Sequence, residues 1–209
     1  MLPESDHHIL LKKKTKLKKE NRMKHNICAE YKHVRIRPLK KEDLEYLRLW
    51  RNDKNMSTFL RPIDEITSQM QQEWFKKECE DITSVTFAIE EIDEINRIVG
   101  SVAIYDIKKA EAEVGKIVVG DPAAKGKKIG YYGLLLAMYV GYEKLGIEKF
   151  FGEVHEDNMS AKINDLRAGF IVTGKHPFVN GGCELEMNLP KKHFYKIHGF
   201  LNEIKIYEV

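Results

Sequence analysis

The chain has 209 residues, 43% of them hydrophobic and 32% charged, so it has the length and composition of a folded domain rather than of a disordered protein. No apolar run approaches the length that spans a bilayer, and the N-terminus lacks the apolar segment of a signal peptide. We therefore expect a cytoplasmic protein with no membrane partner. Cys28, Cys79 and Cys183 lie far apart and in no metal-ligand spacing, which predicts reduced thiols and no metal site.

The formal net charge of +3 is unevenly distributed along the chain. Residues 1–26 carry eight Lys or Arg against three acidic residues, and subtracting this +5 from +3 leaves −2 for residues 27–209. We predict a flexible basic N-terminal arm over 1–26, followed by a single domain over 27–209. Such an arm can bind RNA or an acidic surface, but it has no aromatic side chain to stack on a base, which argues against a nucleic-acid partner.

The first elements of the predicted domain are a strand and two helices. The segment HVRIRPL alternates apolar and polar residues, which indicates a strand over 33–39. Residues 40–53 follow as a helix with an apolar face that includes Trp50. Ser68 and Gln71 have the spacing of a capping box and predict the start of the second helix.

Three strands with short connections follow, and we expect them to form an antiparallel meander: VTFAIEE, IVGSVAIYDI and EVGKIVV. After Val119 the pattern changes to a helix over 128–145, strand FFGEVH, a helix over 159–168, and strands FIVTGK and CELEMNL. A helical crossover places the strands at 114–119 and 150–155 side by side and parallel. The tail at 190–209 is expected to cap the core.

The turn KGKKIG at 125–130 joins the strand ending at Val119 to the apolar helix. The first turn of a helix presents free N–H groups and the positive end of the helix dipole, a suitable site for a diphosphate. Gly126 and Gly130 allow the backbone to approach a ligand closely. Lysines at a helix N-terminus are unfavourable unless an anion compensates them, which favours a bound anion over a merely solvated basic turn.

Two motifs together resemble the Gcn5-related N-acetyltransferase (GNAT) superfamily over about residues 33–189. The turn matches the family's pyrophosphate loop, (Q/R)-x-x-G-x-(G/A), with Lys125 in place of Gln or Arg and Lys128 in place of a glycine. Asn158-Met159-Ser160-Ala161 through Gly169-Phe170 matches N-x-x-(A/S) followed by G-F. The resemblance is greatest to the branch with ribosomal-protein N-terminal acetyltransferases and amino-sugar acetyltransferases. It implies a mixed α+β fold, a twisted, mostly antiparallel sheet with a central parallel, splayed strand pair and flanking helices.

The resemblance also implies acetyl-CoA as the cosubstrate. Pantetheine would pair with the strand before the loop as an added strand, and a backbone N–H there would polarise the thioester carbonyl. The phosphates would contact the loop, and two asparagines of the second motif would face the same cleft, although Asn158 also suits a simple N-cap. The implied cofactor-binding residues are Ile117, Val118, Val119, Lys125, Gly126, Lys127, Lys128, Ile129, Gly130, Tyr131, Asn158 and Asn164.

The reaction needs a base, because an amine acceptor is mostly protonated at neutral pH. Glu113 is one candidate, since it begins the strand that would hold the thioester, but a surface carboxylate is an equal alternative. His155, at the end of the neighbouring strand, is the other candidate. Many relatives carry a tyrosine in the second helix that protonates the thiolate, and here Asp165 occupies that position. The general-acid tyrosine is therefore absent, and solvent or another group would have to supply the proton.

Acceptor recognition is expected from the helices at 44–80 and the loop at 174–184. Trp50-Arg51-Asn52 resembles a WRN segment of the amino-sugar relatives, although Trp50 also has the spacing of a core residue. Arg51 could reach a nucleotide phosphate. His176 and Phe178 are expected to line the acceptor side.

We therefore predict an N-acetyltransferase that works by direct transfer in a ternary complex, since no Cys or Ser is an obvious acyl carrier in the predicted cleft. The acceptor is a primary amine of a small molecule or peptide: a protein N-terminus, a nucleotide-linked amino sugar or a polyamine. A homodimer is left open. The alternative is a non-catalytic CoA-binding or ribosome/RNA-associated module, motivated by Lys128, Asp165 and the basic arm.

Overall fold

The computed structural model describes residues 25–56, 58–59 and 63–209. Within these residues nine strands form one sheet: β1 (Ile27–Tyr31), β2 (Val34–Pro38), β3 (Val85–Glu91), β4 (Arg97–Lys108), β5 (Glu111–Val119), β6 (Lys149–His155), β7 (Ile171–Pro177), β8 (Cys183–Pro190) and β9 (Lys205–Glu208). The same residues form five α-helices: α1 (Leu44–Asn52), α2 (Ser68–Glu80), α3 (Ile129–Lys144), α4 (Met159–Ala168) and α5 (Lys191–Ile197). The strand order is β7-β8-β6-β5-β4-β3-β2-β1-β9.

The mixed fold class is confirmed by the strand directions. β3, β4 and β5 are consecutive antiparallel neighbours, as the meander prediction required. β5 and β6 are parallel, because α3 carries the chain from the end of β5 back to the start of β6. The remaining pairs in the described sheet are antiparallel.

Helix α3 covers one face of the sheet and forms most of the main core. It is buried on nearly every side, which explains why its sequence is apolar without a polar stripe. Gly133 allows the close approach, since a Cβ there would lie 2.5 Å from Cδ1 of Ile89. At the other end of α3 the buried Tyr142 hydroxyl donates to the carbonyl of Leu189 at 2.9 Å, which fixes the helix to β8.

Helices α1 and α2 cover the opposite face through a second, smaller apolar cluster that includes Leu44, Trp50 and Phe75. Helix α2 is also fixed by a polar contact, because the buried Glu78 carboxylate accepts from the hydroxyls of Ser84 (2.5 Å) and Thr86 (2.6 Å). The two helices thereby have a defined position beside the end of β5.

The start of each of these helices differs in detail from the prediction. Residues Lys41–Asp43 form a 3-10 turn before α1, and Asp43 is held by a buried two-bond ion pair with Arg37 (2.7 and 2.9 Å). The capping box predicted at Ser68 is wrong. Thr67 is the N-cap of α2, and its side chain accepts from the amide of Met70 at 3.2 Å.

The chain after residue 190 packs on the core, as predicted, and Phe194 of α5 is fully buried. β1 and β9 were not predicted, and they pair with each other at one edge of the sheet. The division into an arm and a single domain stays a prediction, because residues 1–24 lie outside the described residues. Of the predicted arm's last two residues, His25 packs on Phe87 at 4.7 Å between ring centroids, and Asn26 donates to Glu208 at 2.9 Å.

Candidate active site

A gap opens in the middle of the sheet between β5 and β6. The two strands pair only where Glu111–Glu113 meets Lys149–Phe151. Beyond this point the described β6 stays paired with β8, and β5 stays paired with β4 as far as Val119. The edge of β5 that faces the gap is therefore open from Val114 onward, and its backbone can pair with an extended ligand.

A β-bulge lies in the open part of β5. Ser101 of β4 pairs with Val118 while Ala103 pairs with Gly115, so β5 has one residue more than its partner over this interval. Lys116 in the bulge has a φ of +50°, in the left-handed region. The bulge reverses the alternation of the strand, so that Ile117 packs with the main core and Val118 with the α1–α2 cluster. The bulge thereby changes the direction of the backbone N–H and C=O groups in the strand segment that was predicted to hold the thioester.

The predicted phosphate loop lies directly between β5 and α3. Gly126 has a φ of +81° and Lys128, the N-cap of α3, has a φ of +58°. The left-handed backbone explains why a glycine is usual at the position of Lys128. No side chain caps the start of α3, which leaves its first amides to a ligand or to solvent.

Four of the predicted cofactor-binding residues converge where the loop meets the gap. A Cβ on Gly130 would lie 3.4 Å from Nδ2 of Asn164, 3.5 Å from Cγ2 of Val119 and 3.9 Å from Cγ2 of Ile117. The missing side chain of Gly130 thus leaves a small cradle lined by β5 and α4. Asn158 is the N-cap of α4, because its side chain accepts from the amide of Ala161 at 3.2 Å.

The other predicted loop residues differ in exposure. Ile129 is fully buried and anchors the helix start, while Tyr131 is half-buried. Lys125 and Lys128 are exposed, and Lys127 forms an ion pair with Glu94 at 2.6 Å. The exposed pair of lysines gives the entrance of the gap a local positive charge.

Glu113 lies at the point where β5 and β6 separate, and it contacts a residue that the sequence did not indicate. Tyr105 is its register partner across the β4–β5 pair. Burial, and then the Glu113 carboxylate, raise the pKa of Tyr105 and keep the phenol protonated. Nζ of Lys116 lies 4.0 Å from the centre of the Tyr105 ring, which brings a cation to the same cluster.

His155 is more completely engaged within the protein. Its Nδ1 accepts from the amide of Asp157 at 3.2 Å, so Nε2 carries the proton and donates to the carbonyl of Gly181 at 3.0 Å. The ring also lies between Phe59 and Phe178, at 5.2 and 5.1 Å between centroids. Both ring nitrogens of His155 are therefore engaged in hydrogen bonds within the protein.

Asp165 lies on the inner side of α4, since it falls between the core-packed Ala161 and the buried Ala168 at helical spacing. Burial raises the pKa of Asp165 from 3.8 to about 7. The carboxyl is therefore protonated in slightly acidic solution and able to donate a proton.

The predicted acceptor residues fall on the α1–α2 side of the sheet. Trp50 is buried, and its ring lies directly over Gly120, where a Cβ would be 2.0 Å from Cγ of Trp50. Arg51 follows it on α1, and burial lowers the pKa of its guanidinium. Phe178 is buried against His155, so it shapes this side of the site from the β7–β8 hairpin.

An acidic surface adjoins the gap on β6 and β8. Nε2 of His176 lies 3.3 Å from Glu184, and its Nδ1 lies 3.3 Å from Glu186. Among the described residues, one group of side chains has the spacing of a metal site: donor atoms of Glu153, His176 and Glu184 lie within 4.8 Å of one another. This concentration of carboxylates suits a cation in general.

A model of the acetyltransferase (GNAT) domain family matches residues 33–170. The chain belongs to the GNAT acetyltransferase family. Family membership confirms the sequence-based resemblance, the acetyltransferase class and acetyl-CoA as the cosubstrate. In the part of the chain that the structure describes, no helix is both long enough and apolar enough to cross a membrane.

Individual GNAT proteins are similar to most of this chain. An N-acetyltransferase 9-like protein of Caenorhabditis briggsae is 26% identical over 147 residues, covering 65% of this chain and 72% of the relative. A Vibrio cholerae spermidine N-acetyltransferase, solved with CoA and spermine, has a TM-score of 0.70 at 20% identity, covering 78% of this chain and 98% of that one. Mycobacterium smegmatis RimJ, solved with CoA-disulfide, has a TM-score of 0.62 at 15% identity, covering 76% and 82%. At these identities the solved structures establish the fold alone.

Proposed function

We propose that the protein transfers the acetyl group of acetyl-CoA to a cationic primary amine by direct attack in a ternary complex. The observation that carries the proposal is the open edge of β5 beyond Glu113, which leads directly into an uncapped helix start. An extended chain with two amides can pair with the open strand edge, and a diphosphate attached to it can lie at the helix N-terminus. Acetyl-CoA has this combination of groups.

The loop and the cradle provide the contacts for the cosubstrate. The amides at the start of α3 bind the diphosphate, and the exposed Lys125 and Lys128 supply positive charge. The cradle at Gly130 lets the ligand pass between β5 and Asn164. A backbone N–H of the bulged segment polarises the thioester carbonyl, where negative charge develops during attack.

Glu113 is the proposed base. It lies at the head of the gap opposite Tyr105, so an incoming amine meets a carboxylate at the point where the two strands separate. Glu113 accepts a proton from the acceptor ammonium, and the free amine attacks the thioester carbon. As the carbon–sulfur bond breaks, the nitrogen gives up its second proton to water and becomes the amide nitrogen. The departing thiolate takes a proton from Asp165, and both carboxyl groups then re-equilibrate with water.

The acceptor is proposed to be a polyamine or a peptide N-terminus rather than a nucleotide-linked amino sugar. The surface next to the gap carries Glu153, Glu184 and Glu186, which attract a polycation and repel a nucleotide phosphate. The similar Vibrio cholerae spermidine N-acetyltransferase was solved with spermine, a polycationic amine, which supports this choice. The cytoplasmic location and the oligomeric state stay predictions.

The test combines calorimetry with a thiol-release assay on the full chain. Titration with CoA establishes binding, and thiol release from acetyl-CoA is measured with spermidine, peptides with a basic second residue and a nucleotide amino sugar. We expect release with the cationic acceptors. Glu113→Gln should lower kcat by roughly 10²- to 10⁴-fold with CoA affinity unchanged.

Glu111→Gln is the matched control, because Glu111 lies two residues earlier on the same strand and pairs with Lys149 at 3.8 Å. Its kcat should stay near the wild-type value. If CoA binds but every amine is inert and Glu113→Gln changes nothing, the protein is a non-catalytic CoA-binding module. Glu184→Gln should raise the KM of a cationic acceptor and leave the KM of acetyl-CoA unchanged.

A further inference from the structure

Lys127, in the middle of the phosphate loop, is held by two residues from outside the loop. Its carbonyl accepts a hydrogen bond from Nε2 of His33 at 2.9 Å. Its ammonium forms an ion pair with Glu94 at 2.6 Å. His33 belongs to the β1–β2 hairpin and Glu94 to the β3–β4 turn, so two separate connections of the sheet converge on one residue of the loop.

The turn that carries Glu94 is itself fixed from within. Glu91 is only 1% exposed, and its carboxylate accepts from the amides of Asp93, Glu94 and Ile95. Burial opposes the charge of Glu91, but these amides, together with His33, outweigh it and hold the pKa of the carboxyl below its usual value. The Glu94 side chain therefore projects from a turn of defined shape.

The two contacts act on a part of the loop that needs support. The backbone on either side of Lys127 is left-handed, at +81° for Gly126 and +58° for Lys128, and such a conformation at a non-glycine residue persists only where its surroundings impose it. In a trans peptide the carbonyl and the following N–H point in opposite directions. The bond from His33 to the Lys127 carbonyl thus turns the amide of Lys128 away from His33.

We propose that His33 and Glu94 are positioning residues for CoA and that Lys127 is the anchor through which they shape the loop. This inference rests on the proposed function, since it presumes that the loop binds the diphosphate. The side chain of Lys127 is directed to Glu94, so the phosphates are contacted by the amides at the start of α3 and by Lys125 and Lys128. His33 also packs edge-on against Tyr132 at 5.5 Å, in the first turn of α3.

The deciding experiment is calorimetric titration of CoA into wild type and Glu94→Gln. If Lys127 is an anchor, removal of the Glu94 charge loosens the loop, and the Kd for CoA rises roughly three- to tenfold. If Lys127 is instead a phosphate ligand restrained by Glu94, the same substitution frees a cation for the phosphates, and CoA binds more tightly. Tighter binding by Glu94→Gln overturns the inference.

His33 gives an independent test with a built-in rescue. His33→Ala should raise the Kd for CoA and the KM for acetyl-CoA by roughly three- to tenfold, with kcat at saturation retained. His33→Gln keeps an N–H at about the same reach, and its Kd should return to within about twofold of wild type. A merely structural role would instead lower the thermal unfolding temperature of His33→Ala with an unaltered Kd, which contradicts the proposal.

Glu208→Gln is the control for loss of an exposed, hydrogen-bonded carboxylate, since Glu208 contacts Asn26 at the far edge of the sheet. It should bind CoA as wild type does. Failure of wild type itself to bind CoA removes the proposed function and this inference together. If wild type, Glu94→Gln, His33→Ala and His33→Gln all bind CoA with the same Kd, the proposed function stands and only the positioning role is refuted.

Discussion

The buried carboxyl of Asp165 predicts that Asp165→Asn stabilises the protein in a pH-dependent way. The pKa of Asp165 is raised by burial to about 7 in the folded protein, from 3.8. Because the folded state holds the proton more tightly than the unfolded chain, stability from this group is present below pH 3.8. This contribution decreases as the pH rises from 3.8 to about 7. Above about pH 7 the unfolding free energy no longer changes through Asp165. An asparagine has no such dependence.

The size of the effect follows from about 1.4 kcal/mol per pKa unit. Between pH 5 and pH 8, wild type should lose about 2.5 kcal/mol of unfolding free energy that Asp165→Asn does not lose. Other titrating groups are common to both proteins and cancel in the comparison. The measurement is reversible urea unfolding of ligand-free protein at pH 5, 6, 7 and 8.

Asp64→Asn provides the matched control, since Asp64 is an exposed carboxyl. Its unfolding free energy should change with pH by the same amount as that of wild type. The reasoning would be refuted if Asp165→Asn and wild type kept a constant stability difference from pH 5 to pH 8. The same variant should also release thiol more slowly at saturating substrates if Asp165 supplies the proton to the thiolate.

Two backbone sites give further predictions. Gly120→Ala should lower the unfolding free energy by about 1–3 kcal/mol, because the new methyl group would lie 2.0 Å from the Trp50 ring. Thermal unfolding followed by tryptophan fluorescence measures it, and Gly199→Ala, with no atom within 4 Å of the added Cβ, should change little. Lys128→Gly should raise the unfolding free energy by about 1 kcal/mol, since glycine relieves the left-handed backbone, yet should weaken CoA binding through the lost charge. A lower unfolding free energy in urea would contradict the expected stabilisation by Lys128→Gly. An unchanged Kd for CoA by calorimetry would contradict the expected loss of affinity.

The local parts of the site could be predicted from the sequence because each has a short-range signal. The strand, the Lys/Gly turn and the apolar helix are contiguous in the sequence. They therefore predicted the parallel pairing near Glu113 and the free amides at the start of α3. The helix predicted over 159–168 has the same bounds as α4, because Asn158 and Gly169 are strong cap residues.

The parts that could not be predicted depend on contacts between distant residues. Tyr105 lies opposite Glu113 only through the register of β4 with β5, and the bulge at Lys116 then shifts the register of the residues that follow Gly115. His33 lies 94 residues from the carbonyl that it contacts. The pairing of β1 with β9 likewise joins opposite ends of the chain, where neither short strand has a distinctive pattern on its own.

The short contact between β5 and β6 has a consequence for how the unliganded molecule holds together. Within the sheet itself, three residue pairs join the half with β6, β7 and β8 to the half with β1 to β5 and β9. A ligand bound in the gap between β5 and β6 contacts both halves of the sheet, so it acts as an additional strand in the middle of the fold. At a concentration one hundred times its Kd, such a ligand adds about 2.7 kcal/mol to the folded state. The supply of acetyl-CoA would thus raise the stability of the fold as well as sustain the reaction.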